Sequence, residues 1–218
     1  MRTKSILAVG GAAAATAGAL GYWFKVRPWH LAWGTTPEER RRPLPGDERV
    51  KDPDLDSTHA ITIDAPAEEV WAWLLQIGQG RGGFYSYTWL ENLVGCRMKN
   101  AERILPELQH LAVGDRIYLH PKAPALTVEI LEPGRALVLS ETWGFYLEPI
   151  NRHSTRLLVR GRGRFDAQPF PKGRLLQFLY WRLVFEPAHF VMERKMLLGI
   201  KERAERGKRR PRAVQEAA

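Results

Sequence analysis

The sequence predicts an α+β domain in which a curved antiparallel sheet wraps one long C-terminal helix, preceded by an N-terminal transmembrane helix. Three observations predict it. A strand followed by a helix opens the domain, from His59 to Ile77. Alternating segments follow between Arg116 and Phe165. A broadly apolar helix, Ala188 to Ala204, then closes it, and only a curved sheet offers that helix a partner surface of its size.

The chain begins with a run free of charge. Arg2 and Lys4 precede Ser5 to Phe24, and Lys25 and Arg27 follow it. A bilayer core takes about 20 apolar residues in a helix, so the run is just long enough to span. It is rich in alanine and glycine, and Tyr22, Trp23, Phe24 and Trp29 form an aromatic belt. Residues 1–28 are therefore read as a single-pass membrane anchor. A cleaved signal peptide is the rival, with Ala17-Gly18-Ala19 as its small-residue site, although the basic residues beyond it disfavour export. The balance of Lys and Arg across the run slightly favours a cytoplasmic main domain.

The 218 residues leave one ordinary domain after the anchor. The net charge of +9 belongs to the ends. Residues 1–42 hold seven Lys and Arg against two Glu, residues 201–218 hold seven against three, and the middle is neutral, with nineteen of each sign. That placement argues against a nucleic-acid partner, which needs a basic folded face. It suits ends that lie near anionic lipid. The tail, 205–218, is read as basic and solvated. The single cysteine, Cys96, forms no intramolecular disulfide and reads as a small packing residue.

Residues 29–58 read as a linker, because Pro37, Pro43, Pro45 and Pro53, Arg40-Arg41-Arg42 and three aspartates leave little to bury. The domain, 59–204, opens with alternation from His59 to Ala65. Pro66 starts a helix, Glu68 and Glu69 favour its first turn, and Gly78 ends it. Strands are expected at Arg116 to His120, Leu126 to Leu131 and Ala136 to Thr142, with Pro133-Gly134 as a turn and Trp143 to Leu147 continuing the last. In the final strand, Thr155 to Phe165, Leu157, Val159, Gly161, Gly163 and Phe165 share one face, while Arg156, Arg160, Arg162 and Arg164 share the other. The arginine face is read as solvated, and the two glycines leave room on the inner surface. Leu175 to Phe185 is read as packing on the sheet, with interfacial insertion as its rival, and Glu186-Pro187 as a break.

Several segments carry a resemblance. They are Pro43-Leu44-Pro45-Gly46-Asp47, Ile61-Thr62-Ile63-Asp64-Ala65-Pro66 leading into Val70-Trp71-Ala72-Trp73-Leu74, the stretch from Gln79 to Tyr87, the run from Trp89 to Leu93, Val113-Gly114-Asp115-Arg116, and the stretch from Met192 to Lys201. Over roughly residues 43–204 the chain resembles the helix-grip fold of the START-like (SRPBCC) superfamily, in its polyketide cyclase/dehydrase-like branch and a bacterial membrane-anchored subgroup. The resemblance implies a hydrophobic cavity between sheet and C-terminal helix. Members of that superfamily bind lipids, sterols, quinones, hormones or polyketides, and some catalyse cyclisation. No shared catalytic motif carries over.

The candidate ligand-binding residues are Phe84, Tyr85, Tyr87 and Trp89 of the aromatic cluster, Trp143 and Phe145 at alternate strand positions, Gly161 and Gly163, and Met192 and Met196. Core packing is the competing reading for each aromatic. Gly80 to Gly83 lacks the lysine and hydroxyl of a phosphate loop and reads as a flexible hinge near the cavity mouth. His189 and Glu193, four residues apart, read as a surface pair, so no metal and no cofactor is expected. The first functional reading is a membrane-tethered module that binds a hydrophobic small molecule. The alternative is a cyclase/aromatase-type enzyme using Tyr85, Tyr87 or His120.

Overall fold

The structure is a computed structural model that describes Ala14 and residues 16–140, 143–164 and 173–209. Most of the expected anchor (Met1 to Ala13), Phe165 at the end of the predicted last strand, and the tail from Arg210 lie outside the described residues.

Strands β1 (Leu55–Ile63), β2 (Arg116–Ile117), β3 (Leu126–Glu132), β4 (Ala136–Leu139), β5 (Trp143–Asn151) and β6 (Ser154–Gly163) form one antiparallel sheet in the order β1-β6-β5-β4-β3-β2. The first and last strands pair along their length, from Leu55 with Gly163 to Ile63 with Thr155. Trp143 does not continue β4. The backbone reverses at Ser140, which adopts a left-handed φ of 43°, so that Leu139 pairs with Trp143 across a hairpin.

Helices α1 (Arg27–Leu31), α2 (Pro37–Arg41), α3 (Ala67–Leu75), α4 (Thr88–Leu93), α5 (Arg174–Tyr180) and α6 (Glu186–Arg209) complete the fold. The inner sheet face supplies Ile63, Phe145, Leu147, Leu157 and Val159 to a core closed by Val70 and Leu74 of α3 and by Met196, Leu197 and Ile200 of α6. Gly199 lets α6 approach closely: a Cβ there would lie 2.2 Å from the Tyr85 carbonyl oxygen.

The proline-rich segment read as a linker is a strap across the outer sheet face, and β1 begins at Leu55, ahead of His59. Its α2 carries a capping box in which the Thr36 hydroxyl accepts from Glu39 N and the Glu39 carboxylate accepts from Thr36 N. Arg156, Arg160 and Arg162 of the arginine face lie beneath this strap, largely shielded from solvent, whereas Arg164 is exposed, as expected, at the cavity lining. Arg160 is buried and donates to the carbonyls of Glu39, Arg40 and Arg42, to Thr58 Oγ1 and to Asp47. Arg156 pairs with Glu39 at 2.8 Å. A cation belongs at the carbonyl end of a helix, where the dipole is negative. Beside these pairs Ala60, Val138, Tyr146 and Leu158 form a second small core with Leu44 of the strap. The prolines and arginines thus serve burial of the outer face.

The C-terminal segments also depart from expectation. Glu186-Pro187 does not break the helix. A wide turn, Trp181–Phe185, precedes it, in which Glu186 N donates to Trp181 O, and this turn absorbs the bond that proline cannot make. Leu175 to Phe185 meets the sheet only at its end, where buried Trp181 and partly buried Phe185 cluster with Leu55 of β1, while Leu175, Leu176, Phe178, Leu183 and Val184 are exposed. The chain is also helical from Thr16 to Leu31, and this segment runs beside α5 and the start of α6. Trp23 packs on Phe178, and Arg27 grips the buried Glu186 with bonds of 2.7 and 3.0 Å. Among the described residues no helix is long and apolar enough to cross a membrane.

Candidate functional site: an apolar cavity under the C-terminal helix

A cavity of about 490 Å³ lies between the inner sheet face and α6. The sheet side supplies Leu55, Trp143, Gly161 and Gly163. The helix side supplies Trp181, Phe185, Met192 and Met196. Phe84, Met98, Leu119 and Leu126 complete an apolar lining. Gly163 helps to make the space, because a Cβ built there meets nothing within 4 Å. The interior is therefore hollow here, where a Leu or Val would fill it.

Six of the ten candidate residues meet at this cavity: Phe84, Trp143, Gly161, Gly163, Met192 and Met196. The other four lie off its lining. Tyr85 has φ of 58°, and its ring stands edge-on to Trp73, 5.5 Å away, with its hydroxyl donating to Trp73 O and the Arg203 guanidinium over its face. It clamps α3 to α6. Tyr87 carries the Lys195 ammonium over its ring. Trp89 points to solvent. Phe145 is fully buried behind Trp143, with ring centroids 4.7 Å apart. His120 does not stand free as an acid or base, since one ring nitrogen faces Val94 O and the other accepts from Lys122 N.

The glycine segment is a packed junction, not a hinge. Gly78 and Gly83 exchange backbone bonds, Gly82 N donates to Gln76 O, and Arg81 donates to the carbonyls of Leu75 and Ile77. Gly83 has φ of 79°, and a Cβ on it would lie 2.4 Å from Asn100 Oδ1. The amides of Arg81, Gly82 and Gly83 are already engaged, so the segment offers no set of amides to cradle an anion.

One wall of the cavity is polar. Glu193, 3% exposed, sits in the first third of α6 facing the sheet. Its Oε1 lies 2.5 Å from His59 Nδ1, and its Oε2 accepts from Trp143 Nε1 at 2.8 Å. His189 Nε2 lies 3.3 Å from Oε2. His59 Nε2 faces His30 O at 2.7 Å. Both nitrogens of His59 thus face acceptors, which an imidazolium satisfies and a neutral ring does not. Burial opposes the charge on His59, but the Glu193 carboxylate and these bonds outweigh it and raise its pKa. Burial likewise opposes charge on Glu193, while His189, His59 and the bond from Trp143 hold its pKa down. Burial lowers the pKa of His189, against the pull of the Glu193 carboxylate.

Of the pair read as lying on the surface, Glu193 is interior, where it meets His59, while His189 stays partly exposed at the cavity lining. The signal for this was present, because His59 shares strand parity with Ile61 and Ile63, and Glu193 lies three residues from both Phe190 and Met196 on the apolar helix face. Glu91, Trp181 and Phe185 also line the cavity and were not among the candidates. Among the described residues no group of three His, Cys, Asp or Glu is placed to hold a metal. Cys96 is buried, and desolvation raises its thiol pKa, as suits packing.

No protein-family model matches the sequence, and no curated protein matches it. Among solved structures, the chain is similar to the solution structure of a Polyketide_cyc-like protein from Corynebacterium glutamicum, with 16% identity and a TM-score of 0.34 over 75% of this chain and 97% of that one.

Proposed function

We propose that the protein is a membrane-tethered binding module that holds a hydrophobic or amphipathic small molecule, such as a lipid, quinone or polyketide-like compound, between its sheet and its C-terminal helix. The apolar cavity beneath α6 carries this reading. Its size and apolar lining match those of small-molecule sites.

The tether is the second part of the proposal. The uncharged N-terminal run continues into a helical segment on which Leu20, Phe24, Val26 and Trp29 are exposed, and Leu175, Phe178, Leu179 and Leu183 are exposed on the adjoining segment. Trp181 and Phe185 of that segment also line the cavity. Soluble surfaces seldom gather so many large apolar side chains, and Lys25 and Arg174 suit contact with anionic headgroups. The domain faces the cytoplasm in this reading. Such an anchor keeps the cavity near a membrane-soluble ligand and raises the ligand's effective concentration. The cyclase reading is weaker, because Tyr85, Tyr87 and His120 lie off the cavity lining.

A cysteine placed at Leu179 in the full chain and labelled with an environment-sensitive fluorophore tests the membrane contact, since the natural Cys96 is buried. The emission should shift to the blue on phosphatidylglycerol-containing vesicles, and a label at Arg135 should not shift. Organic extraction of the chain purified from membranes should yield a stoichiometric apolar compound. An unshifted Leu179 label sinks the tether, and an empty extract sinks the binding reading.

A further inference from the structure

The lining of the cavity holds one acidic group that the fold leaves unsatisfied. Glu91 comes from α4, whose neighbouring apolar residues Trp89 and Leu93 face outward, 67% and 76% exposed. Glu91 turns the other way: it is 8% exposed and lines the cavity near Ser86 and Met98. Its Oε2 is buried without a hydrogen-bond partner. The other deeply buried glutamates are served differently. Glu186 takes Arg27 and Arg182, and Glu193 takes His59 and Trp143. Nearby Ser86 does not serve Glu91, since its hydroxyl donates to Met192 O at 3.0 Å.

An orphaned buried carboxyl destabilises a fold. Such groups persist at sites where a ligand completes them. Desolvation also raises the Glu91 pKa, which favours the neutral acid, a group able to donate as well as accept.

We propose that Glu91 is the recognition residue of the cavity and binds the hydroxyl or carbonyl head of an otherwise apolar molecule. This rests on the cavity being a binding site and names the class of ligand it selects. The apolar walls hold the body of the molecule, and the carboxyl reads its one polar group. A compound with no hydrogen-bonding head leaves Glu91 unpaired and binds less well.

Two probes of matched shape test the inference by fluorescence titration of the full chain: β-naphthol, which carries a hydroxyl, and β-methylnaphthalene, which carries a methyl in its place. Wild type should bind β-naphthol about tenfold more tightly, the scale of one good buried hydrogen bond. Glu91→Met should bind both alike and melt at a higher temperature, because it removes the orphaned carboxyl. Glu91→Gln, which still accepts and donates, should keep most of the preference. Equal binding of the two probes by wild type overturns the role of Glu91 while leaving the cavity reading intact. Binding of neither probe overturns the cavity reading itself. A Glu91→Met protein that melts lower than wild type marks Glu91 as structural and also overturns the inference.

Discussion

His59 Nδ1 lies 2.5 Å from Glu193 Oε1, joining the first strand to the closing helix beside the cavity. Both side chains are removed from water, so each depends on the other. Glu193→Ala should cost about 3–5 kcal/mol, because it leaves a buried imidazolium unpaired. The double replacement H59F/E193M should recover most of that loss, since apolar pairs often match buried ion pairs. Urea denaturation of the three proteins measures both effects, and a single variant as stable as wild type would refute the pairing.

The same pair sets a pH window. Glu193 is held below its ordinary pKa of 4.5, so its contribution is complete above that value and fades as pH falls through the lower folded value. His59 is held above its ordinary 6.5, so its contribution is complete below that value and fades as pH rises through the higher folded value. Subtracting the pH profile of H59F/E193M from that of wild type should leave a plateau between these ordinary values, with loss on either side. A flat difference would contradict the assigned charges.

Arg160 ties the strap to the sheet through the carbonyls that end α2 and through Asp47. Arg160→Met should free the strap while the inner core stays packed. Trypsin should then cut at Arg40-Arg41-Arg42 at least about tenfold faster, since cleavage follows the population of the opened state. Unchanged cleavage would mean that other contacts hold the strap.

Tyr85 is a clamp, and its variants should show it. Tyr85→Phe loses one hydrogen bond, to Trp73 O, and should cost about 1 kcal/mol. Tyr85→Ala should cost about 3–5 kcal/mol by leaving a cavity between α3 and α6. Gly199→Ala forces a Cβ toward the Tyr85 carbonyl and should cost about 1–3 kcal/mol. Thermal melts rank the three, and a harmless Gly199→Ala would show that α6 stands further off.

The inner half of this fold was legible in the sequence. Strand parity placed Leu157, Val159, Gly161 and Gly163 on one face, and the helical pattern placed Met196, Leu197 and Ile200 opposite them. The outer half was not legible. Alternation assigned Arg156, Arg160 and Arg162 correctly to the other face, but it could not show that a proline-rich segment more than a hundred residues earlier would cover them. That packing rests on helix-end carbonyls and isolated carboxylates, which leave no period in the sequence. Tyr85 and Phe84 are adjacent in sequence and belong to one core, yet only Phe84 lines the cavity, and the left-handed φ of Tyr85 leaves no mark in the residue pattern. Glu91 was invisible for a related reason: one acidic residue in a short helix does not reveal which way it faces.

The claim on which the account depends is that the space beside Gly163 is where an apolar molecule sits. Native mass spectrometry of the full chain released from detergent, wild type beside Gly163→Phe, tests it most directly. The account predicts one apolar adduct on wild type and none on the variant, with the variant melting close to wild type because its ring enters open space. A bare wild-type chain, or the same adduct on both proteins, would contradict it.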